Sequence, residues 1–142
     1  MQGPVNWVRL MAVPEMVARP DLKFKPYTAG VPKRLRKGNS ILDAARDKDI
    51  LLHHPYQSFE PVVQFIREAS VDPDVVAIKM TIYRTGSHSD LVRALMTAAL
   101  AGKQVTVVVE LMARFDEAAN VNWAQQLENA GAHVVYGVFG YK

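Results

Sequence analysis

Three cationic side chains stand at matching places in the chain. Arg84 follows the apolar run Val75–Ile82 and Tyr83. Arg114 follows Gln104–Leu111, and Lys142 follows His133–Val138 with Gly140 and Tyr141 between. If the three runs are neighbouring parallel strands, the three cations meet at one rim of the sheet. Open α/β sheets bind ligands at that carboxyl rim. An arginine keeps its charge at any relevant pH and presents a planar fork that matches phosphate oxygens. Two such forks on adjacent strands make a clamp for a phosphoryl group or a polyphosphate chain. Each arginine also has a plainer reading. Arg114 precedes Asp116 and Glu117 and suits an ion pair at a helix start, and Arg84 lies in a Gly/Ser loop and suits solvent.

Other groups bear on the chemistry. Glu110 falls inside an apolar run, where a carboxylate needs a partner. It either pairs with Arg or Lys as support or orients a functional cation. His53 and His54 precede Pro55, where a catalytic role and an ordinary hydrogen-bonding role are both open. His88 is expected exposed, and His133 on a strand surface. No histidine and carboxylate share one helix face at metal-ligand spacing, so a zinc site is not expected. There is no Gly-x-x-x-x-Gly-Lys loop and no Gly-x-Gly-x-x-Gly. Aromatics do not interleave with the basic run in a nucleic-acid-binding manner. The absence of cysteine excludes disulfides and thiolate metal sites and fits a reducing cytoplasm.

The elements that must position these residues are legible from periodicity. Ser40 is a candidate N-cap for a short helix through Ala45. Phe59, Val62, Val63 and Ile66 fall at i, i+3, i+4, i+7 and predict an amphipathic helix to about Ser70. Asp72-Pro73-Asp74 is a turn before the strand Val75–Ile82. Leu91, Val92, Leu95, Met96 and Ala99 make a helical stripe capped by Ser87 or Ser89, with Gly102 just past its end. Gln104–Leu111 is the most continuous apolar strand. A helix from Glu117 to Ala130 is expected to turn Val121, Ala124 and Leu127 inward. A last strand covers His133–Val138. Strands separated by such helices are parallel, joined by right-handed crossovers. The expected fold is therefore α/β, a three-stranded, largely parallel βαβαβ sheet with flanking helices. Its apolar central strand predicts a sheet covered on both faces.

Residues 1–40 read differently. Pro4, Pro14, Pro20, Pro26 and Pro32 interrupt every helical pattern, leaving one short helix near Asn6–Met11. This stretch holds eight Lys or Arg against Glu15 and Asp21, a local net of +6, and residues 41–142 carry a net of −3. An anionic partner near the first segment and a merely solvated basic connector both fit that asymmetry. The division expected is 1–40, an irregular basic connector, and 41–142, a globular α/β unit. Hydrophobic residues make up 49% and charged residues 22%, a soluble globular profile. No apolar run approaches the roughly 18 residues of a membrane span. The first residues lack the layout of a signal peptide, so a cytoplasmic location is expected.

Several runs resemble a known family. Ile50-Leu-Leu-His-His-Pro-Tyr-Gln-Ser-Phe59 resembles a hallmark of the long-form bacterial polyphosphate kinases. So do Ala77-Ile-Lys-Met-Thr-Ile-Tyr-Arg84, Gly102-Lys-Gln-Val-Thr-Val-Val-Val-Glu-Leu111, Ala113-Arg-Phe-Asp-Glu117, and the stretch from Trp123 to Gly131-Ala-His-Val-Val-Tyr136. Gly3-Pro-Val-Asn6 and Arg19-Pro-Asp-Leu-Lys-Phe24 are similar to the same family. The likeness spans nearly the whole chain in order.

The resemblance implies an enzyme that reversibly moves the terminal phosphate of ATP onto polyphosphate, with Mg2+, through a phosphohistidine. It implies two phospholipase D-like halves and a parent that is a homo-oligomer. Residues 1–40 would end the family's second domain, and 41–142 would begin its first catalytic half. Arg84 and Arg114 match the two arginines of the family's magnesium–phosphate site. An arginine has no lone pair for a cation, so both are expected to hold phosphate oxygens that the metal shares. In the family the Gly-x-Lys matching Gly140-Tyr-Lys142 is followed by Thr-His-x-Lys, whose histidine is phosphorylated. The sequence stops at Lys142, and none of His53, His54, His88 or His133 takes that place. The chain alone is therefore expected not to make polyphosphate. The alternative is a non-catalytic anion or polyphosphate-binding module that keeps Arg84 and Arg114. A phospholipase D-type phosphodiesterase needs His-x-Lys, which the chain lacks.

Overall fold

The computed structural model describes residues 7–36, 38–85, 89–113, 117–137 and 140. A 3-10 turn over Trp7–Ala12 runs into a single α-turn, α1 (Val13–Met16), and further 3-10 turns cover Pro20–Leu22 and Lys33–Leu35. Pro14 and Pro20 sit in the first turn of their segments, so they start helical turns here rather than only interrupting them. The side chains from Val8 to Thr28 are exposed. The segment meets the rest where Gly30 bridges Gln57 and the Tyr27 hydroxyl donates to the Tyr56 carbonyl at 2.9 Å.

The regular elements then follow as α2 (Ile41–Asp47), α3 (Glu60–Val71), β1 (Ala77–Ile82), α4 (Asp90–Leu100), β2 (Gln104–Val109), α5 (Glu117–Asn129) and β3 (His133–Tyr136). Ser40 caps α2, its hydroxyl accepting from the Asp43 amide. Ser89 caps α4 by accepting from the Val92 amide. Of the two candidate caps for α4, Ser87 lies outside the described residues. Gly102 ends α4 at φ +83°, a conformation that disfavours any Cβ. Phe59 stands at the N-cap of α3, exposed, with its ring against His54, and so belongs to the loop rather than the buried stripe.

The strands lie in the order β1-β2-β3, all parallel, with Val107 level with Met80 on one side and Val134 on the other. The ladder continues past the named strands. The Glu110 amide donates to the Ile82 carbonyl at 2.9 Å, and the Gly137 amide to the Val109 carbonyl at 3.1 Å. Ile78, Ile82, Val105, Val107 and Val109 point to one face, where α4 (Val92, Leu95, Ala98) and α5 (Trp123, Ala124, Leu127) close the core. Helix α3 packs along α4.

Two expectations are corrected. The sheet is covered on one face only, by the described residues. Right-handed crossovers in a sequential strand order place both helices on the same side, and α4 and α5 touch each other. Lys79, Thr81 and His133 on the opposite face are exposed, with Thr106, Val108 and Val135 half-buried. The apolar character of β2 reflects its central place rather than two covered faces. Val121 does not point inward. It is 55% exposed, and the buried stripe of α5 is Asn120, Trp123, Ala124 and Leu127.

Candidate functional site

Each strand of the sheet is preceded by a helix, so the N-terminal ends of α4 and α5 lie near the carboxyl rim. The opposite edge is fastened by Lys103, whose ammonium donates to the carbonyls of Asp72 (2.5 Å) and Val75 (2.7 Å) in the turn between α3 and β1. At the rim itself, β1 delivers Tyr83 and Arg84. The Arg84 guanidinium carbon lies 5.3 Å from the centre of the Tyr83 ring, a cation–π contact at an exposed place. Arg114 and Lys142, the other two cations expected here, lie outside the described residues, as does His88. The segment beyond β2 is described to Ala113, which is fully buried.

Asn120, in the first turns of α5, links the two described strand ends. Its Nδ2 donates to the Tyr83 carbonyl at 2.9 Å and to the Glu110 carbonyl at 2.8 Å. Two carbonyl acceptors fix the amide orientation, because only the NH2 side can donate. The residue is 0% exposed, and its Oδ1 is buried without a hydrogen-bond partner among the described residues. A buried acceptor left unmade costs about 1–3 kcal/mol. Asn120 was not among the candidates read from the sequence. The signal was present: positions 120, 123, 124 and 127 follow the i, i+3, i+4, i+7 spacing that Val121 does not share with Trp123.

Glu110 lies one residue past the end of β2 and is half-buried. Its carboxylate accepts the Met112 amide at 3.1 Å, so among the described residues it braces the turn after β2. The histidines fall elsewhere. His54 Nδ1 lies 2.9 Å from the Gln57 carbonyl, which can only accept, so Nδ1 carries a hydrogen. Its exposed loop is held by Gln57, whose side chain accepts from the His53 amide. His133 is exposed on the bare sheet face. At the start of α4, Asp90 pairs with Arg93 and Arg67, and Arg93 chiefly holds its carboxyl below the usual range. That network uses both arginines locally.

A cleft of about 640 Å³ opens between α2 and α3, lined by Leu35, Ile41, Ile50, Leu52 and Phe65 among others. Its described lining carries Asp49 and no cation, which does not suit a phosphate. Among the described residues no cluster of three His, Cys, Asp or Glu side chains is placed to hold a metal.

Comparison with known proteins decides the family. The family described as Polyphosphate kinase C-terminal domain 1 matches residues 40–142. The chain belongs to the polyphosphate kinase family. It is 73% identical over 142 residues to a polyphosphate kinase of Neisseria meningitidis, covering 100% of this chain and 21% of the relative. It is 61% identical over 140 residues to that of Burkholderia ambifaria, covering 99% of this chain and 20% of the relative. The chain thus spans about a fifth of the length of the curated relatives it matches. The crystal structure of polyphosphate kinase from Porphyromonas gingivalis superposes with a TM-score of 0.72 at 34% identity, over 88% of this chain and 19% of that one. That likeness bears out the α/β fold expected from the resemblance, part of a phospholipase D-like domain. No helix among the described residues is long and apolar enough to cross a membrane.

Proposed function

We propose that this chain supplies part of the phosphate-binding rim of a polyphosphate kinase, an enzyme that moves the terminal phosphate of ATP reversibly onto polyphosphate. Arg84, Arg114 and Lys142 would contact phosphate oxygens. The observation that supports this reading is the Tyr83–Arg84 peptide, held at the carboxyl rim of a parallel sheet in a member of this family. Arginine forks suit the equatorial oxygens of a phosphoryl group, on which charge must be stabilised during transfer. Magnesium enters the proposal only as an ion carried by the nucleotide, since it keeps its waters and binds through substrate phosphates more readily than in all-protein cages.

The sequence contains no Thr-His-x-Lys. The proposal therefore assigns these residues phosphate binding, and assigns the phosphohistidine step to none of the four histidines present. Titration calorimetry with inorganic tripolyphosphate tests the reading. Wild type is expected to bind with an affinity that falls as salt is raised. Arg84→Ala together with Arg114→Ala should abolish the heat. Unchanged affinity in the double variant would remove both arginines from the site.

A further inference from the structure

The geometry points to Asn120 as the positioning residue of this rim: it sets the placement of Arg84 by holding the two neighbouring strand ends together. The inference rests on the phosphate-binding reading above and adds to it a residue that touches no ligand. The carbonyl that Asn120 grips just past β1 belongs to the peptide joining Tyr83 to Arg84. Fixing that peptide plane fixes the direction in which the arginine leaves the strand. The second carbonyl belongs to the peptide joining Glu110 to Leu111, at the matching place beyond β2. One amide thus ties the two segments that carry the chain from the sheet into the Arg84 loop and toward Arg114. The ladder already pairs these ends once, through Glu110 N and Ile82 O. Asn120 adds two bonds just beyond it, where no further strand pairing is present among the described residues.

The chemistry of the side chain supports a positioning role over simple packing. The stripe around it is Trp123, Ala124 and Leu127, and an apolar residue would fill the same space without burying an oxygen that has no partner among the described residues. Only a two-hydrogen donor of this length spans both carbonyls. Serine offers one hydrogen on a shorter arm, and aspartate presents oxygens to oxygens.

The test uses the 142-residue chain, tripolyphosphate as ligand and Asn120→Leu, which keeps the heavy-atom count and branching of the side chain and removes the donors. Amide exchange at Arg84 and Leu111 is expected to quicken while the amides of Val107 and Leu95 keep their protection. Tripolyphosphate affinity is expected to fall about tenfold, and the loss should not add to that of Arg84→Ala, because one residue acts through the other. Asn120→Ser serves the same comparison if the leucine variant fails to fold. Unchanged exchange at Arg84, or losses that add independently, would overturn the inference. If wild type binds no tripolyphosphate, the phosphate-binding reading fails and the exchange at Arg84 alone decides whether Asn120 positions the loop.

Discussion

The ammonium of Lys103, just ahead of β2, donates to the carbonyl oxygen of Val75, just ahead of β1, at 2.7 Å, and reaches Asp72 as well. The two strands are thus fastened at their amino ends by a lysine and at their carboxyl ends by Asn120. Replacing Lys103 with methionine keeps the stem and removes both donors. A charged donor to carbonyls contributes about 1.5–3 kcal/mol, and urea unfolding of Lys103→Met should lose about 2 kcal/mol. A loss below about 0.5 kcal/mol would show that water replaces the ammonium freely.

Glu68 gives a pH dependence with a definite sign. Its carboxylate accepts from the Ser40 hydroxyl (3.0 Å), from the amides of Ile41 (2.8 Å) and Leu42 (3.1 Å), and from Gln64 Nε2 (2.7 Å). Burial pushes its pKa up, and the bonds from Leu42, Gln64, Ser40 and Ile41 outweigh it and bring it below the usual value. A depressed folded pKa means stability that is fully present above the unfolded value of about 4.3 and lost as pH falls through the folded one. Glu68→Gln should therefore melt below wild type at pH 7, and the gap should close toward pH 3. A gap that stays constant with pH would mean the charge itself contributes nothing.

Leu95, on α4, is fully buried in the core cluster that residues of the sheet, α3 and α5 also form. Leu95→Ala should cost about 3 kcal/mol through lost transfer energy and the cavity left behind. Chemical denaturation reads this directly, with the slope of the transition unchanged if the fold is kept.

The bare sheet face and the outer strands make self-association the expected behaviour at high concentration. Among the described residues β1 and β3 each pair on one side only, and unpaired strand edges invite pairing between copies. Sedimentation velocity should show a size that grows with loading. A single monomeric boundary across the concentration range would contradict this.

Much of this was legible in the sequence because the core helices and strands follow clean periods. The Val-rich run of β2, the stripe of α4 and the caps Ser40 and Ser89 all stand where spacing and cap chemistry put them. What stayed hidden depended on contacts between distant residues. Nothing local in Asn120 reveals two carbonyls on different strands, and its polarity disguised it as a surface residue beside the apolar Val121. The one-sided sheet was hidden for another reason. A central strand reads as apolar whichever faces are covered, and strand order, which decides the side of each helix, leaves no mark on the periodicity. In the first segment the sequence pattern makes the prolines interruptions, although Pro14 and Pro20 open helical turns. Loop placement of Phe59 was masked by a position that continues the stripe of α3.

The convergence of four donors on Glu68 also gives the chain a mechanical stop. Arg34 reaches the Ala44 carbonyl, and Leu35 is buried, so the stretch leading into Ser40 is stitched down before the carboxylate takes hold of it. Tension applied through the exposed residues upstream would meet the Gly30–Gln57 bridge first, then this knot, and would be passed along the axis of α3. The rim, anchored separately by Asn120, would be spared the load until the knot at Glu68 gave way.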